Sequence, residues 1–188
     1  MKKITLVVMM ILSTMILFGN ENNIEIVKNG VLGYNQRITV GQALDNWKNC
    51  QFSDWEEYQT DNGIQVVKFI CVEKDVKEFT QKIKTFLNPK DIKDASSLDL
   101  DSINKTLYFT MNVDKSFQID IVEDEIIWKD MKRAYKRKNV SAIMKEVYNN
   151  KITFDLRKIN HLAIKEGRES IQTLITFINF NAYRKHAK

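Results

Sequence analysis

Residues 52–72 read FSDWEEYQTDNGIQVVKFICV, in which a turn separates two runs of strand-like composition. Asn62-Gly63 lies inside the turn Asp61-Asn62-Gly63, and an Asn-Gly pair indicates a tight hairpin because both central residues must adopt positive φ. If Asn62-Gly63 is a two-residue loop, the residues that face each other across the strands are chemically compatible. These pairs are Trp55 with Ile70, Glu57 with Lys68, and Tyr58 with Val67. The sequence therefore predicts a first antiparallel hairpin.

A second hairpin is predicted around the loop Asp114-Lys115-Ser116, because apolar and polar residues alternate on both sides of it. A three-residue loop keeps both apolar sets on one face, whereas a two-residue loop would place Val113 opposite Ser116. The apolar set is Leu107, Phe109, Met111, Val113, Phe117, Ile119 and Ile121. An acidic turn, Glu123-Asp124-Glu125, is expected to follow.

Amphipathic helices are expected to pack against these hairpins. Thr39 and Gln42 form a capping box ahead of apolar residues at helical spacing that end with Trp47. A helix is predicted over residues 74–87, before Pro89, and another after the N-cap Asn139. The remaining expectations are a strand and loop over 24–38, a polar loop over 88–104, a short strand at 152–156 and a terminal helix from Ser170. The predicted fold class is α+β, with antiparallel β-hairpins packed against short amphipathic helices.

The N-terminus has the pattern of a signal peptide. Lys2 and Lys3 precede an apolar run from Ile4 to Phe18, and a polar stretch follows. The run has about 15 residues, whereas a membrane-spanning helix needs about 20. We expect residues 1–19 to be a cleaved leader and residues 20–188 to form a single exported domain, periplasmic or extracellular. Retention of the leader as an uncleaved membrane anchor is the alternative.

The composition is that of a globular protein of mixed charge. The 188 residues include 29 Lys and Arg against 24 Asp and Glu, which gives a formal net charge of +5. Disorder, collagen and coiled coil are excluded as descriptions of the whole chain. Loss of the leader would remove two lysines, and the charge that remains is too small to steer nucleic acid by itself. No nucleic-acid partner is expected.

Cys50 and Cys71 are the two cysteines of the chain. An even number of cysteines in an oxidising compartment favours one intramolecular disulfide. This bond would tie the end of the first predicted helix to the first hairpin. Two separate buried thiols are the alternative.

An ordered set of motifs runs from Thr39 to Cys71. It consists of Thr39-Val-Gly-Gln-Ala-Leu, Trp47, Cys50, Trp55, Asn62-Gly63, Val66-Val67, Phe69 and Cys71. Over residues 39–73 this order resembles that of small uncharacterised exported bacterial proteins, and the helix-plus-antiparallel-sheet units of beta-lactamase-inhibitor-like and outer-membrane-assembly lipoprotein domains. The resemblance implies a domain that works by protein contact, without catalytic residues. The chain departs from it in having no lipidated cysteine and no counterpart for its C-terminal half.

No pattern in the sequence indicates catalysis or metal binding. The two histidines, His161 and His186, are not spaced as paired ligands, and a zinc site needs three or four ligands. There is no Gly-x-Ser-x-Gly motif and no glycine-rich phosphate loop. The carboxylates Asp120, Glu123, Asp124 and Glu125 could supply a glycosidase pair, but a solvated turn explains them better. We expect no catalytic residue, no metal and no cofactor.

The strongest charge feature is a basic run expected to be helical. Helical spacing would bring its cations to one face, where anionic lipid, lipopolysaccharide or another acidic polymer could bind. A solvated face without a ligand is the alternative. The candidate residues are Lys129, Lys132, Arg133, Lys136, Arg137 and Lys138.

Trp47, Trp55 and Trp128 are interpreted as core or sheet-packing residues, although an exposed Trp or Tyr beside the hairpin would suit a protein partner. The first hypothesis is a non-catalytic exported module that binds a protein partner in the cell envelope or outside it. The second is a protein that binds anionic envelope surfaces through residues 129–138, and the third is a hydrolase with an unrecognised site.

Overall fold

The computed structural model describes residues 22–86, 96–137 and 139–157, together with Phe180 and Arg184. The leader predicted at 1–19, Pro89 and both histidines lie outside the described residues, as does the helix predicted from Ser170 apart from Phe180 and Arg184. Within the described part of the chain, no helix combines the length and the apolar character needed to cross a membrane.

The centre of the fold is a five-stranded antiparallel sheet whose strands neighbour each other in chain order. The strands are β1 (Cys50–Gln59), β2 (Gln65–Glu73), β3 (Leu100–Met111), β4 (Phe117–Trp128) and β5 (Lys132–Arg137). The helices are α1 (Asn23–Asn29), α2 (Val40–Asp45), α3 (Val76–Phe86) and α4 (Val140–Tyr148), with a 3-10 helix at Ser96–Leu98. The predicted α+β class is confirmed.

One face of the sheet, the inner face, carries the hydrophobic core. At one end of this face, side chains from α1, α2 and α4 pack with residues of β2, β3 and β4. At the other end, α3 and the 3-10 helix pack with the start of β3 and the end of β4. The side chains that alternate with these along the strands form the outer face, where most remain partly exposed.

The first hairpin is confirmed, but its predicted loop is one residue too short. The Thr60 amide donates to the Ile64 carbonyl, which leaves Asp61-Asn62-Gly63 as a three-residue loop. Gly63 has a φ of 80°, the left-handed conformation that ends such loops. Trp55 therefore faces Phe69 and not Ile70, and its side chain lies on the inner face.

The second hairpin is also confirmed, with a three-residue loop that begins one residue earlier than predicted. The Asn112 amide donates to the Ser116 carbonyl, so the loop is Val113-Asp114-Lys115. Lys115 adopts a φ of 68°, and Val113 is fully exposed at the tip instead of joining the apolar face. The acidic turn expected at residues 123–125 is wrong, because these residues lie inside β4.

Helix prediction succeeds where the capping residues are clear. The Thr39 hydroxyl accepts a hydrogen bond from the Gln42 amide, and the Gln42 side chain accepts one from the Thr39 amide, as the capping box requires. Asn139 caps α4 in the predicted way. The strand expected within 24–38 is wrong, because Asn22 caps the helix α1 there. Residues 152–156 form no strand, and β3 already begins at Leu100, inside the expected polar loop.

Gly41 allows α1 and α2 to approach closely, which leads to a first prediction. A Cβ at this position would lie 2.9 Å from both the Cβ and the carbonyl oxygen of Lys28. Overpacking typically costs about 1–3 kcal/mol, and the better helix propensity of alanine recovers at most about 1 kcal/mol. We expect Gly41→Ala to lower the free energy of unfolding in urea. Gly33→Ala is the control, because no heavy atom lies within 4 Å of its added Cβ; equal losses in both variants would contradict the prediction.

Candidate functional site

The basic run expected to be a helix forms the strand β5, which pairs with β4. Side chains of a strand alternate between its faces, so Lys132 and Lys136 lie on the outer face and Arg133 on the inner face. The predicted single basic face is therefore wrong for the described residues. Arg137's side chain and Lys138 lie outside them.

Carboxylates lie close to three of these cations. Lys132 is 3.3 Å from Glu125, Lys136 is 3.9 Å from Glu123, and Lys129 is 4.0 Å from Asp99. Two of these pairs, Lys132–Glu125 and Lys136–Glu123, cross from β5 to β4, and cross-strand pairs of opposite charge contribute to a strand pairing. Binding of an anionic surface by residues 129–138 stays a prediction.

A disulfide joins Cys50 and Cys71, with an S–S distance of 2.04 Å and a Cα–Cα distance of 5.3 Å. Cys71 is fully buried in the core, and Cys50 is next to a bulge at the start of β1. The Cys50 amide also donates to the Trp47 carbonyl, 3.1 Å away. The bond therefore fixes the first hairpin to the end of α2.

Trp47 and Trp128 are core residues, and each is 2% exposed. Their indole nitrogens donate to backbone carbonyls at 3.0 and 2.9 Å. Trp55 is half-buried on the inner face, where its ring centroid lies 4.9 Å from that of Phe69 and its indole donates to Asp45 at 2.7 Å. Packing and hydrogen bonding within the domain therefore account for the positions of all three tryptophans.

The outer face of β1, β2 and β3 carries partly exposed aromatic and aliphatic side chains. Phe52 is 60% exposed and Tyr58 is 41% exposed, and both belong to β1. The register places Phe52 beside Val72 and Tyr58 beside Val66. We call Phe52, Tyr58, Ile70, Val72 and Tyr108 the outer patch. Tyr58 was not singled out in the sequence as an exposed anchor, although its place beside the hairpin turn was a signal for it.

Charged side chains lie among the members of the outer patch. Lys68 Nζ lies 2.7 Å from a Glu56 carboxylate oxygen and 5.9 Å from the centroid of the Tyr58 ring. Burial and the nearby Glu123 carboxylate raise the pKa of Tyr108, so its hydroxyl stays protonated. A shallow depression of about 260 Å³ lies between Tyr58, Tyr108 and Lys136. The patch thus combines aromatic surface with hydrogen-bonding and charged groups.

Three charged side chains are buried on the inner face, and sequence analysis missed this arrangement. Lys105 of β3 donates a hydrogen bond to Glu73 of β2, and its Nζ lies 3.0 Å from Asp124 Oδ1 of β4. The side chains of Glu73, Lys105 and Asp124 are 0%, 5% and 7% exposed. We call these three residues the buried triad. Lys105 and Asp124 face each other across the strands, which brings their charges together.

The buried triad adjoins a cavity of about 180 Å³. Its polar lining includes the triad, Tyr135 and Thr153, and its apolar walls are Ile103, Ile126, Phe154 and Phe180. Glu73 is buried beside this cavity, and a hydrogen bond from the Asn49 side chain favours its ionised form. A charged group buried in this way is costly unless it is paired.

The expectation that the sequence holds no nucleophile motif, Ser-x-x-Lys included, is wrong at one place: Ser102-Ile103-Asn104-Lys105 matches the Ser-x-x-Lys pattern of some acyl-transfer enzymes. That chemistry requires the hydroxyl and the amine to be in hydrogen-bond reach. Ser102 and Lys105 are three residues apart on β3, so their side chains lie on opposite faces of the sheet. The tetrapeptide therefore forms no nucleophile–lysine pair. Within the described ranges, no group of three His, Cys, Asp or Glu side chains could hold a metal ion.

The buried Glu73 makes stability depend on pH, which gives a second prediction. Burial raises the pKa of Glu73 above its ordinary value, although Lys105 opposes this shift. A carboxyl group with a raised folded-state pKa contributes stability that is present below its unfolded pKa and is lost as the pH rises through the folded value. We therefore compare the free energy of unfolding of the wild type with that of Glu73→Gln. The difference, wild type minus variant, should decrease as the pH rises from the unfolded-state pKa of Glu73 through its folded-state pKa. Urea titrations between about pH 4 and about pH 8 would measure it, and a difference that rises with pH would contradict the prediction.

No protein-family model, no curated protein and no solved structure matches this chain. The resemblance of residues 39–73 to beta-lactamase-inhibitor-like units therefore stays a prediction. What the chain does has to be argued from the outer patch, the buried triad and the disulfide.

Proposed function

We propose that the protein is an exported, non-catalytic module that binds a protein partner through the outer patch. The observation that carries this proposal is the exposure of Phe52 and Tyr58 on the sheet face opposite the core. Aromatic side chains supply much of the binding energy of protein interfaces, and charged pairs commonly surround them. Here the Glu56–Lys68 pair lies between the two rings along the strands.

The dimensions of the patch also suit a protein surface. Phe52 and Tyr58 are six residues apart on β1, and a strand rises about 3.4 Å per residue, so the rings are separated by roughly 20 Å. A twisted sheet face of this length can contribute to the ~800 Å² that a partner of a stable complex buries. Because Ile70, Val72 and Tyr108 extend the patch onto β2 and β3, the contact would cross three strands.

Export is the second part of the proposal. The apolar segment after Lys2 and Lys3 has the composition of a secretory leader, and the Cys50–Cys71 disulfide suits an oxidising compartment. We expect the intact mass of protein from fractionated cells to lack about 19 residues, without alkylation of either cysteine before reduction. A full-length mass with both cysteines alkylated would contradict export and cleavage together.

The binding proposal is tested with a variant pair matched for exposure. Phe52→Ala combined with Tyr58→Ala removes both rings, whereas Tyr34→Ala removes a tyrosine that is 39% exposed and stacks on Tyr148 of α4. Both variants should remain folded, because Phe52, Tyr58 and Tyr34 all lie outside the buried core, and urea denaturation would check this. Proteins that copurify with the exported wild type at high salt should be lost from the double variant and kept by Tyr34→Ala.

A photo-reactive phenylalanine analogue at position 52 or 58 would then identify the partner directly. We expect a cross-linked product of one size at both positions and none at position 34. Equal cross-linking at position 34, or retention of the partner by the double variant, would contradict binding through the outer patch.

A further inference from the structure

We propose that the free edge of β1 binds an extended, basic segment of the protein partner as a sixth strand of the sheet. This inference rests on the proposed protein contact and names the kind of segment that makes it. β1 is an outermost strand of the sheet, paired on one side with β2. Seven of its ten residues are exposed, so a further strand has room alongside it.

The backbone groups on the free edge of β1 can be identified from the turn. The Thr60 amide donates to a carbonyl across the turn, and in an antiparallel pair the amides of alternate residues point to the same side. The amides of Glu57 and Gln59 therefore point away from β2. The Trp55 amide also points outwards, where it donates to the Asp54 carboxylate at 2.8 Å. An added strand pairs with such a row of outward groups.

The two edges of the sheet differ in their protection against strand addition. Natural proteins commonly protect an edge by keeping its strand short and by placing lysines along it. β5, the other edge strand, has six residues, of which four are Lys or Arg. β1 has ten residues without Lys, Arg or Pro, and its bulge lies at the start, between Cys50 and Phe52. The edge of β1 is therefore the one suited to pairing.

The charges of β1 favour a basic segment. Glu56 is paired with Lys68 of β2 at 2.7 Å. Asp54 and Glu57 are exposed and lie opposite apolar residues of β2, so this neighbour supplies no cation to them. A basic strand on the other side of β1 would supply those cations, whereas β1 of a second copy would place carboxylates against carboxylates.

The aromatic members of the outer patch set the ends of the segment. Phe52 and Tyr58 lie on the outer face, on either side of Asp54 and Glu56. The side chains of an added strand would follow the same alternation. We therefore expect a segment of seven residues with an apolar residue at each end and cations between them.

Calorimetric titration of the full chain with an acetylated, amidated heptapeptide tests the proposal. The peptide Leu-Lys-Lys-Thr-Lys-Lys-Leu reads the same in both directions, so it suits parallel and antiparallel addition. We expect it to bind at least tenfold more tightly than an analogue with glutamate in place of every lysine. Asp54→Asn with Glu57→Gln should weaken binding at least tenfold. Glu25→Gln with Asp61→Asn, which removes two charges from exposed positions outside β1, should leave the affinity unchanged.

Amide hydrogen exchange measured by NMR distinguishes strand addition from general attraction of a cationic peptide. Saturating peptide should slow exchange at least tenfold at Glu57 and Gln59, whose amides face the free edge. Exchange at Glu56 and Tyr58 should not change, because their amides face β2. Binding without this alternation would overturn strand addition, and no binding at millimolar concentration would overturn the assignment to a basic segment.

Sedimentation of the full chain without peptide tests whether a second copy occupies the edge instead. We expect a monomer, and association that the peptide reverses would overturn the assignment to a separate partner. If the peptide fails to bind while Phe52→Ala with Tyr58→Ala still loses the partner, only the strand addition is wrong. If the peptide binds with the expected exchange pattern while that double variant keeps the partner, strand addition stands and the outer-patch contact is wrong.

Discussion

Replacing Lys105 by methionine should lower the free energy of unfolding by about 3–5 kcal/mol, which would be a large share of the stability of a domain this size. Methionine keeps an unbranched chain of similar length but removes the ammonium group between Glu73 and Asp124. Two carboxylates would then be buried close together without it. Urea denaturation near neutral pH would measure the loss.

The matched control for this prediction is Lys77→Met. Lys77 Nζ is 3.3 Å from Asp101, but the two side chains are 63% and 41% exposed. Pairs exposed to this degree contribute at most about 1 kcal/mol, so this variant should remain close to the wild type. A similarly small loss for Lys105→Met would show that the buried triad does not depend on its ammonium group.

The carboxylates themselves can be tested in the Lys105→Met background. Adding Glu73→Gln and Asp124→Asn removes the two charges that lose their ammonium partner. Because neutral groups cost less to bury than charges, the triple variant should recover part of the lost stability. A further loss would contradict the idea that uncompensated charge causes the destabilisation.

The parts of the fold formed by residues close together in the chain could be predicted from the sequence. The capping box at Thr39 and Gln42 involves residues three positions apart, so the start of α2 could be predicted from sequence alone. Both hairpins were predictable because the turn residues and the alternation lie in one continuous segment. The register of the first hairpin was less predictable, since it depends on the packing of Trp55 against Phe69 and its hydrogen bond to Asp45.

The basic run was mispredicted because its structure depends on another strand. Lys132 and Lys136 fit a solvated helix by spacing, but they lie opposite Ile127 and Glu123 in the β4–β5 pairing. Segments 74–87 and 139–148 were easier, because apolar residues at helical spacing marked their buried faces. The run 129–138 has no such apolar set, so its charge pattern could not distinguish a helix from an edge strand.

The buried triad was missed for a related reason, although the sequence held a signal for it. Lys105 occupies an apolar position in the alternation of Ile103 and Leu107, so its side chain had to lie on the inner face. Asp124 interrupts β4 between two buried residues in the same way. A charge at such a position needs a partner of opposite sign. Only the strand order reveals that Glu73 and Asp124 are those partners.

Removal of the disulfide by Cys50→Ala with Cys71→Ala should lower the free energy of unfolding by about 3 kcal/mol, because the cross-link restricts the unfolded chain. The two cysteines are 21 residues apart, so the bond closes a loop that contains β1, the turn and most of β2. Alanine avoids placing a buried hydroxyl at Cys71, which is fully buried. Urea denaturation of the double variant would measure the loss.

The wild type reduced with dithiothreitol is the control, and it should match the double variant under identical conditions. A double variant as stable as the oxidised wild type would contradict a stabilising role for the bond.

The loop also contains Phe52 and Tyr58, so reduction loosens the strand that carries the exposed rings of the outer patch. Binding through the outer patch should therefore weaken on reduction, while Phe52→Ala with Tyr58→Ala should abolish it without reduction. If reduction lowers stability but leaves partner binding unchanged, then binding of the partner does not require an ordered β1.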